Sequence, residues 1–389
     1  MRVRPQPFEQ ARRSIHRGVS CPGYLLGSIA LLALAAAGCG GGSGSGTTTV
    51  PPPVVVYATI DAPGAGPEGT FALAVNATGE LAGYFFDASN TIHGFVRDGS
   101  GAITAIDAPG ARTQQELGTE AVAINGPGTV VGFYVDTTGI EHSFIRTSDG
   151  TVTTFDPPGS IGSASVAIND SGTVAGGYID GNGAHGFTRT SDGTFADFDI
   201  PGIPASEVEI VVPGGINADG AVAGYYEDNN LVSHGFLLHS DGSITLLDAP
   251  NAGTAANTGT EILDINSTGA MVGVVATNPA GGISAVHSFM LSASGTYTTF
   301  DPPGAVSSLA DGINDSGAIT GYYVDANSVR HGYLRNSDGS FATFDAPEAA
   351  QLPISSANLD TIPRRINANG LIVGLFSDST GTRHGFTRQ

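Results

Sequence analysis

The sequence predicts an all-β protein, a seven-bladed β-propeller of four-stranded blades whose ring is closed by an N-terminal strand completing the last blade. Three observations predict it. A phrase typified by "AINDSGTVAGGYID" at 167–180 occurs seven times. Each repeat reads as four short strands separated by tight turns. The two ends of the chain are complementary fragments of one repeat.

Aligned on its asparagine, the phrase falls at Asn76, Asn125, Asn169, Asn217, Asn266, Asn314 and Asn367. Glycine stands three residues later every time, from Gly79 to Gly370, and again four residues beyond, from Gly83 to Gly374. Each unit then has one histidine: His93, His142, His185, His234, His287, His331 and His384. Most spacings are 44–53 residues. A period of this size with several strands in each unit is the signature of propeller blades.

The third unit shows the elements in order. "SVAIN" alternates as a first strand, "TVAGGYID" follows as a second, "HGFTR" as a third and "TFADFD" as a fourth. Asn-x-x-Gly joins the first two as a type I turn whose glycine takes a positive φ. "SDG" makes the turn between third and fourth strands. "DPPG" or "DAPG" ends the fourth, because proline cannot donate to a ladder. The last unit stops at "HGFTRQ" without a fourth strand, while "VVVYATIDAPG" at 54–64 is a fourth strand without a unit. Joined, the two remove an exposed edge. A right-handed solenoid would leave such ends unused.

Residues 1–38 read as a lipoprotein-type signal peptide. Five arginines precede a short apolar run, Tyr24 to Ala37, and the run ends in "LAAAGC". Cleavage would leave Cys39 as the lipid-bearing N-terminus; a plain secretory signal cut near Gly38 is the alternative. Arg12-Arg13 is also compatible with a twin-arginine export signal. Residues 39–53 form a Gly/Ser/Pro tether, and the propeller occupies 54–389. Beyond the leader no segment has the length and apolarity of a bilayer span, so membrane attachment is expected through the lipid alone.

Composition removes several chemistries. The only cysteine besides Cys39 is Cys21, in the leader, so the propeller has neither disulfide nor thiol nucleophile. All fifteen basic residues are arginine. Without lysine there is no P-loop, no Schiff base and no Ser-x-x-Lys hydrolase. Removing residues 1–38 takes away five arginines and Glu9, leaving 10 basic residues against 35 acidic and a net charge of −25. Such a surface repels nucleic acid and anionic lipid.

The histidine triplet stands as "HGF" at 93, 185, 234 and 384, "HSF" at 142 and 287, and "HGY" at 331. With the Ile-Asn-x-x-Gly phrase it resembles the HAF-type extracellular repeat family, named for a His-Ala-Phe triplet before an Asp-Gly turn. Glycine or serine here takes the place of the family's alanine. The resemblance covers essentially all of 54–389 and implies an exported, propeller-like repeat protein, with no defined activity attached.

An acidic residue precedes six of the histidines at the end of the second strand: Asp87, Asp136, Asp180, Asp228, Asp325 and Asp378. Such Asp–His pairs serve metal binding or general-base chemistry, or they fix a hairpin. Sevenfold repetition favours the scaffold, since a propeller site draws unlike residues from different blades. The aromatic of each triplet, from Phe95 to Phe386, is expected as filler between sheets. "DGNG" at 180–183 and "DANS" at 325–328 lack the alternating acidic ligands of a calcium loop.

Unlike residues occur in two places. Two residues before the asparagine five units have Ala or Gly, but the fifth has Asp264 and the seventh Arg365, with Asp311 and Arg364 one step away. These four are the candidate ligand-binding residues; a structural salt bridge beside the channel is the alternative. The loops entering each blade also differ, carrying Arg112, Glu116 and Glu120, then Glu207 and Glu209, and finally the long 346–362 segment. The expected function is a monomeric, lipid-anchored cell-envelope module that binds a protein, peptide or glycan without cofactor, metal or nucleic acid. A polysaccharide lyase or glycosidase with an axial site, and a passive surface or matrix component, are the rivals.

Overall fold

A computed structural model describes residues 55–113, 117–277, 286–350 and 360–389. The signal peptide, Cys39 and the tether lie outside the described residues, as do Glu116 and much of the 346–362 segment.

Seven antiparallel, four-stranded blades follow one another along the chain. Their innermost strands are Ala65–Val75, Thr119–Ile124, Gly162–Ile168, Val208–Ile216, Gly259–Ile265, Ser307–Ile313 and Thr361–Ile366. One parallel bridge, Ser233 to Gly259, also links the fourth blade to the fifth. The N-terminal strand Tyr57–Ile60 pairs with the C-terminal strand Arg383–Arg388, in register from Tyr57↔Arg388 to Ile60↔Gly385. Val56 and Gln389 exchange both backbone bonds, at 2.8 and 3.0 Å, and extend the seam. The ring is therefore closed by pairing the two ends of the chain.

All seven asparagines brace their own turn, and six of them also fasten to the next blade. The brace is Oδ1, which accepts the backbone N–H four residues on, at 2.8–3.0 Å in every blade. In the six, Nδ2 donates to the backbone carbonyl of the next blade's asparagine. These bonds, at 2.9–3.0 Å, run around the ring, and the one from Asn367 to Asn76 crosses the closure. Aspartate could brace the turn but has no N–H to offer.

The invariant glycines meet two different needs. At the turn, φ is +79° to +86°, a region that side chains disfavour. At the second position a Cβ on Gly83 would lie 2.0 Å from the Phe71 carbonyl and 2.9 Å from the Phe95 ring. Gly132 and Gly273 would meet Glu120 and Glu261 in the same way, at 1.9 Å. The inner strand bulges against this glycine, and the triplet aromatic lies over it. Phe95, Phe144, Phe187, Phe236, Phe289, Tyr333 and Phe386 are all at most 1% exposed. Core clusters run from blade to blade, as where Val131 of the second packs with Ile168, Val174 and Phe187 of the third.

A hydroxyl six residues before the asparagine follows the proline pattern of the preceding blade. After "DAP" it is threonine, and Thr70, Thr119, Thr260 and Thr361 each accept the alanine N–H at 2.9–3.0 Å. After "DPP" there is no N–H to accept. There Ser163 and Ser308 donate instead to Asp156 and Asp301, at 2.7 Å. The same serines bond Ser143 and Ser288, which is why those two blades read "HSF". In the fourth blade there is no hydroxyl at this position: Val211 takes its place and packs in one core cluster with Ile200.

Two predictions test this frame. A chain beginning at Gly64 loses the closing strand, and its thermal unfolding should fall well below that of a chain beginning at Val54. Equal melting temperatures would show the seam to be dispensable. Asn169→Asp should cost about 1–3 kcal/mol, because a donor to a buried carbonyl is lost. Urea unfolding at neutral pH measures it.

Candidate functional site

The innermost strand of every blade carries a β-bulge at one place, between the residues two and four before the asparagine. The extra residue is Leu73, Val122, Val166, Gly214, Leu263, Asp311 or Arg364. A bulge re-aims a side chain, and all seven line one axial cavity of about 80 Å³. Five are apolar or glycine; the sixth and seventh blades supply the charges.

Asp264, Asp311, Arg364 and Arg365 come together here. Arg364 Nη1 donates to Asp311 Oδ2 at 3.1 Å. Arg365 reaches across the axis: Nη1 donates to the Asp311 carbonyl at 2.5 Å, and Nη2 to the Gly214 and Leu263 carbonyls at 3.2 and 3.4 Å. Asp264 accepts the Ile265 and Ile313 N–H groups at 2.9 and 3.0 Å. Burial pushes both carboxyls above their ordinary value, and the guanidiniums pull them part of the way back. Gly214 and Gly215 make room for the cluster, since a Cβ on either would meet Leu263 or Asp264 at 2.8 Å. Every charge is matched inside the cluster, so its evident work is to join the fourth to seventh blades.

On the other side of the bulges, the asparagine ring frames a second cavity of about 270 Å³. Its lining is nearly sevenfold, with Asp170 and Asp315 as the departures. Both carboxylates are occupied, accepting the Gly126 and Ser267 N–H groups at 2.6 and 2.9 Å.

The histidines sit at the outer part of the opposite face. Their nearer partner is the aspartate that ends the fourth strand, a residue sequence reasoning did not pair with them. Nδ1 lies 2.6–3.0 Å from Asp107, Asp156, Asp199, Asp248, Asp301, Asp345 and, across the closure, Asp61. The signal was present: an aspartate stands 14 residues after each histidine of the first six units. The second-strand aspartate lies farther off, 3.0 Å from Nε2 at Asp180 and 3.5–3.7 Å at Asp87, Asp136, Asp325 and Asp378. Six imidazoles also stack on a tyrosine or phenylalanine of the second strand, at 4.9–5.3 Å. In the fifth blade Val275 occupies that place. Among the described residues no group of His, Cys, Asp or Glu is arranged to hold a metal ion.

This face also carries the unlike loops. Glu207 is exposed in a short 3-10 turn, Ala205–Glu207, and Arg112 is half-buried at the entrance to the second blade. Glu120 is fully buried instead, at a strand position where the first, fourth and seventh blades place Phe71, Val212 and Ile362 and the fifth a second buried glutamate, Glu261. Two arginines precede the histidine in the last two blades and reach toward the axis. Arg330 stands over Tyr322 at 5.8 Å, and its backbone N–H donates to the buried Asp360. Arg383 stands over Phe71 at 5.6 Å and pairs with Glu68.

No family model matches the chain, and no curated protein does. The fold has solved counterparts. Virginiamycin B lyase from Staphylococcus aureus is 15% identical, with a TM-score of 0.54 over 86% of this chain and 100% of its own. A streptogramin B lyase structure is 15% identical, with 0.52 over 86% and 98%. The β-propeller domain of the Trilobed protease from Pyrococcus furiosus, described as having an open velcro topology, is 9% identical, with 0.52 over 82% and 97%. At such identities the likeness is one of fold.

Arg365→Ala should destabilise the protein by about 3–5 kcal/mol, because it strips a partner from buried carboxylates; chemical denaturation measures it. His185 and His234 give a pH dependence. Burial opposes charge on His185, but bonds to Asp199 and Asp180 outweigh it and raise its pKa. The bond to Asp248 raises that of His234. Their contribution is complete below about pH 6.5 and is lost as pH rises through the raised values. Backbone bonding to Asn182 lowers the pKa of Asp180, whose contribution is present above about pH 4 and lost on acidification. Thermal stability should therefore peak between these limits. His185→Ala should cost about 1–3 kcal/mol and His287→Ala less, as the fifth blade lacks the stacking ring.

Proposed function

We propose that the chain is an exported, lipid-anchored cell-envelope module that binds a protein, peptide or glycan on the face of its unlike loops. One observation carries this reading. Asp264, Asp311, Arg364 and Arg365 are engaged with one another and with backbone groups, Glu261 accepts a bond from Ser233, and the cavity beside them is about 80 Å³. Small-molecule pockets run from about 300 Å³ upward. At the bulges the axis thus offers a pin rather than a cleft. The asparagine-framed cavity of about 270 Å³ beyond them is nearly sevenfold, with both its carboxylates occupied. The differing surface lies on the loops of the opposite face. Loops on a rigid scaffold are where binding residues collect. The acidic surface, with −25 on the predicted mature chain, favours neutral or basic partners.

Anchoring and binding are tested separately. Cys39→Ser should move the protein from the membrane fraction to the soluble one, since lipid is its proposed attachment. On an array of envelope glycans and peptides, Arg112→Ala combined with Glu207→Ala should weaken capture by about tenfold. Asp98→Ala with Asp192→Ala, in turns of the opposite face, should leave capture unchanged. Turnover of a polysaccharide by the folded protein, or equal loss from both faces, would sink the proposal.

A further inference from the structure

The chain contains three Asn-Gly bonds, at Asn125–Gly126, Asn182–Gly183 and Asn369–Gly370. This dipeptide is the most prone to spontaneous loss of the side-chain amide, because glycine leaves the following nitrogen unshielded. The nitrogen gives up its proton to solvent base and attacks Cγ. The bond to Nδ2 breaks and ammonia departs with a proton from solvent. Water then opens the cyclic imide to aspartate or isoaspartate. The reaction needs a free nucleophile and a side chain able to turn.

The fold treats the three bonds differently. Asn125 belongs to the ring and is 4% exposed. Its Oδ1 is held by Thr129 at 2.8 Å, its Nδ2 by the Asn169 carbonyl at 3.0 Å, and the Gly126 N–H by Asp170 at 2.6 Å. Asn369 is exposed, but its Nδ2 donates to Ala77 across the closure, and the Gly370 N–H is fixed in the turn, both at 3.0 Å. Asn182 is exposed in a hairpin of the variable face. Its amide donates only within that hairpin, to Asp180 Oδ2 at 3.0 Å, and the Gly183 N–H makes the longest bond of the three, 3.2 Å.

We propose that Asn182 is a self-modification site, the position at which the folded protein deamidates first. The product sets a second carboxylate beside Asp180, whose Oδ1 lies 3.0 Å from His185 Nε2. An amide donor to Asp180 becomes a like charge, and His185 gains a further reason to hold its proton. Ageing thereby changes the charge of one loop on the face assigned to binding. The chemistry stands whether or not that face binds a partner.

The absence of lysine makes the test direct. Cleavage after arginine places Asn125 in 113–146, Asn182 in 147–189 and Asn369 in 366–383. The whole protein is incubated folded at mildly alkaline pH, and in parallel in urea, and the amide-to-carboxyl mass change is followed by fragmentation. In the folded protein Asn182 should convert at least roughly tenfold faster than the other two, as expected where fewer hydrogen bonds must break. In urea the three should keep pace. Asn182→Gln should abolish the rapid phase, and Asn182→Asp should raise the titration midpoint of His185 followed by NMR. Conversion of Asn125 or Asn369 as fast as Asn182 in the folded protein would overturn the proposal. So would an unmodified 147–189 peptide when the urea sample has converted, and an unmoved His185 midpoint would overturn its electrostatic consequence.

Discussion

In every blade one amide side chain braces its own turn through Oδ1, and around most of the ring it fastens to the next blade through Nδ2. No blade buries its faces alone, so propeller stability depends on how neighbouring sheets are spaced. The asparagine couples that spacing to the geometry of a local turn. With the turn fixed, the inner strand meets the second strand where only glycine fits, and the surplus residue is displaced as a bulge toward the axis. Seven bulges at one height then close most of the channel. The closing strand matters for the same reason, since a ring with an open seam would lose the Asn367–Asn76 bond.

The axial charges follow from that geometry. Wherever the bulged residue is apolar, it fills the channel directly. Where it is Asp311 or Arg364, the charge is placed in a site with little water and must find a partner there. Asp311 and Arg364 pair with each other, and Arg365 crosses to carbonyls of the fourth and fifth blades. One sector of the ring is thus pinned by ions, while the rest of the axis is packed with side chains. The cost of buried charge is offset only because every member has a partner, which leaves the cluster little capacity for a ligand.

At the periphery the units vary under the same rule of satisfied polar groups. Proline removes an N–H, and serine replaces threonine so that the hydroxyl donates to the aspartate instead of accepting from the backbone. The histidine beside that aspartate keeps its bond in either arrangement. What remains free to differ is the loop sequence above, including the Asn182 hairpin. Binding and chemical ageing are both proposed for that face because the scaffold does not constrain it.

The sequence alone determined the blade count, the strand order within each blade and the closure by the two termini. These depend on local turn chemistry and on a period that repeats. It also marked Asp264, Asp311, Arg364 and Arg365 as departures from that period. Tertiary structure decided what the departures do, because Arg365 reaches Gly214, 151 residues away, and no local pattern encodes that reach. It likewise decided the ring of asparagine bonds and the histidine partners. Invariance shows that a residue is needed, but the direction of its hydrogen bonds exists only once seven blades stand side by side.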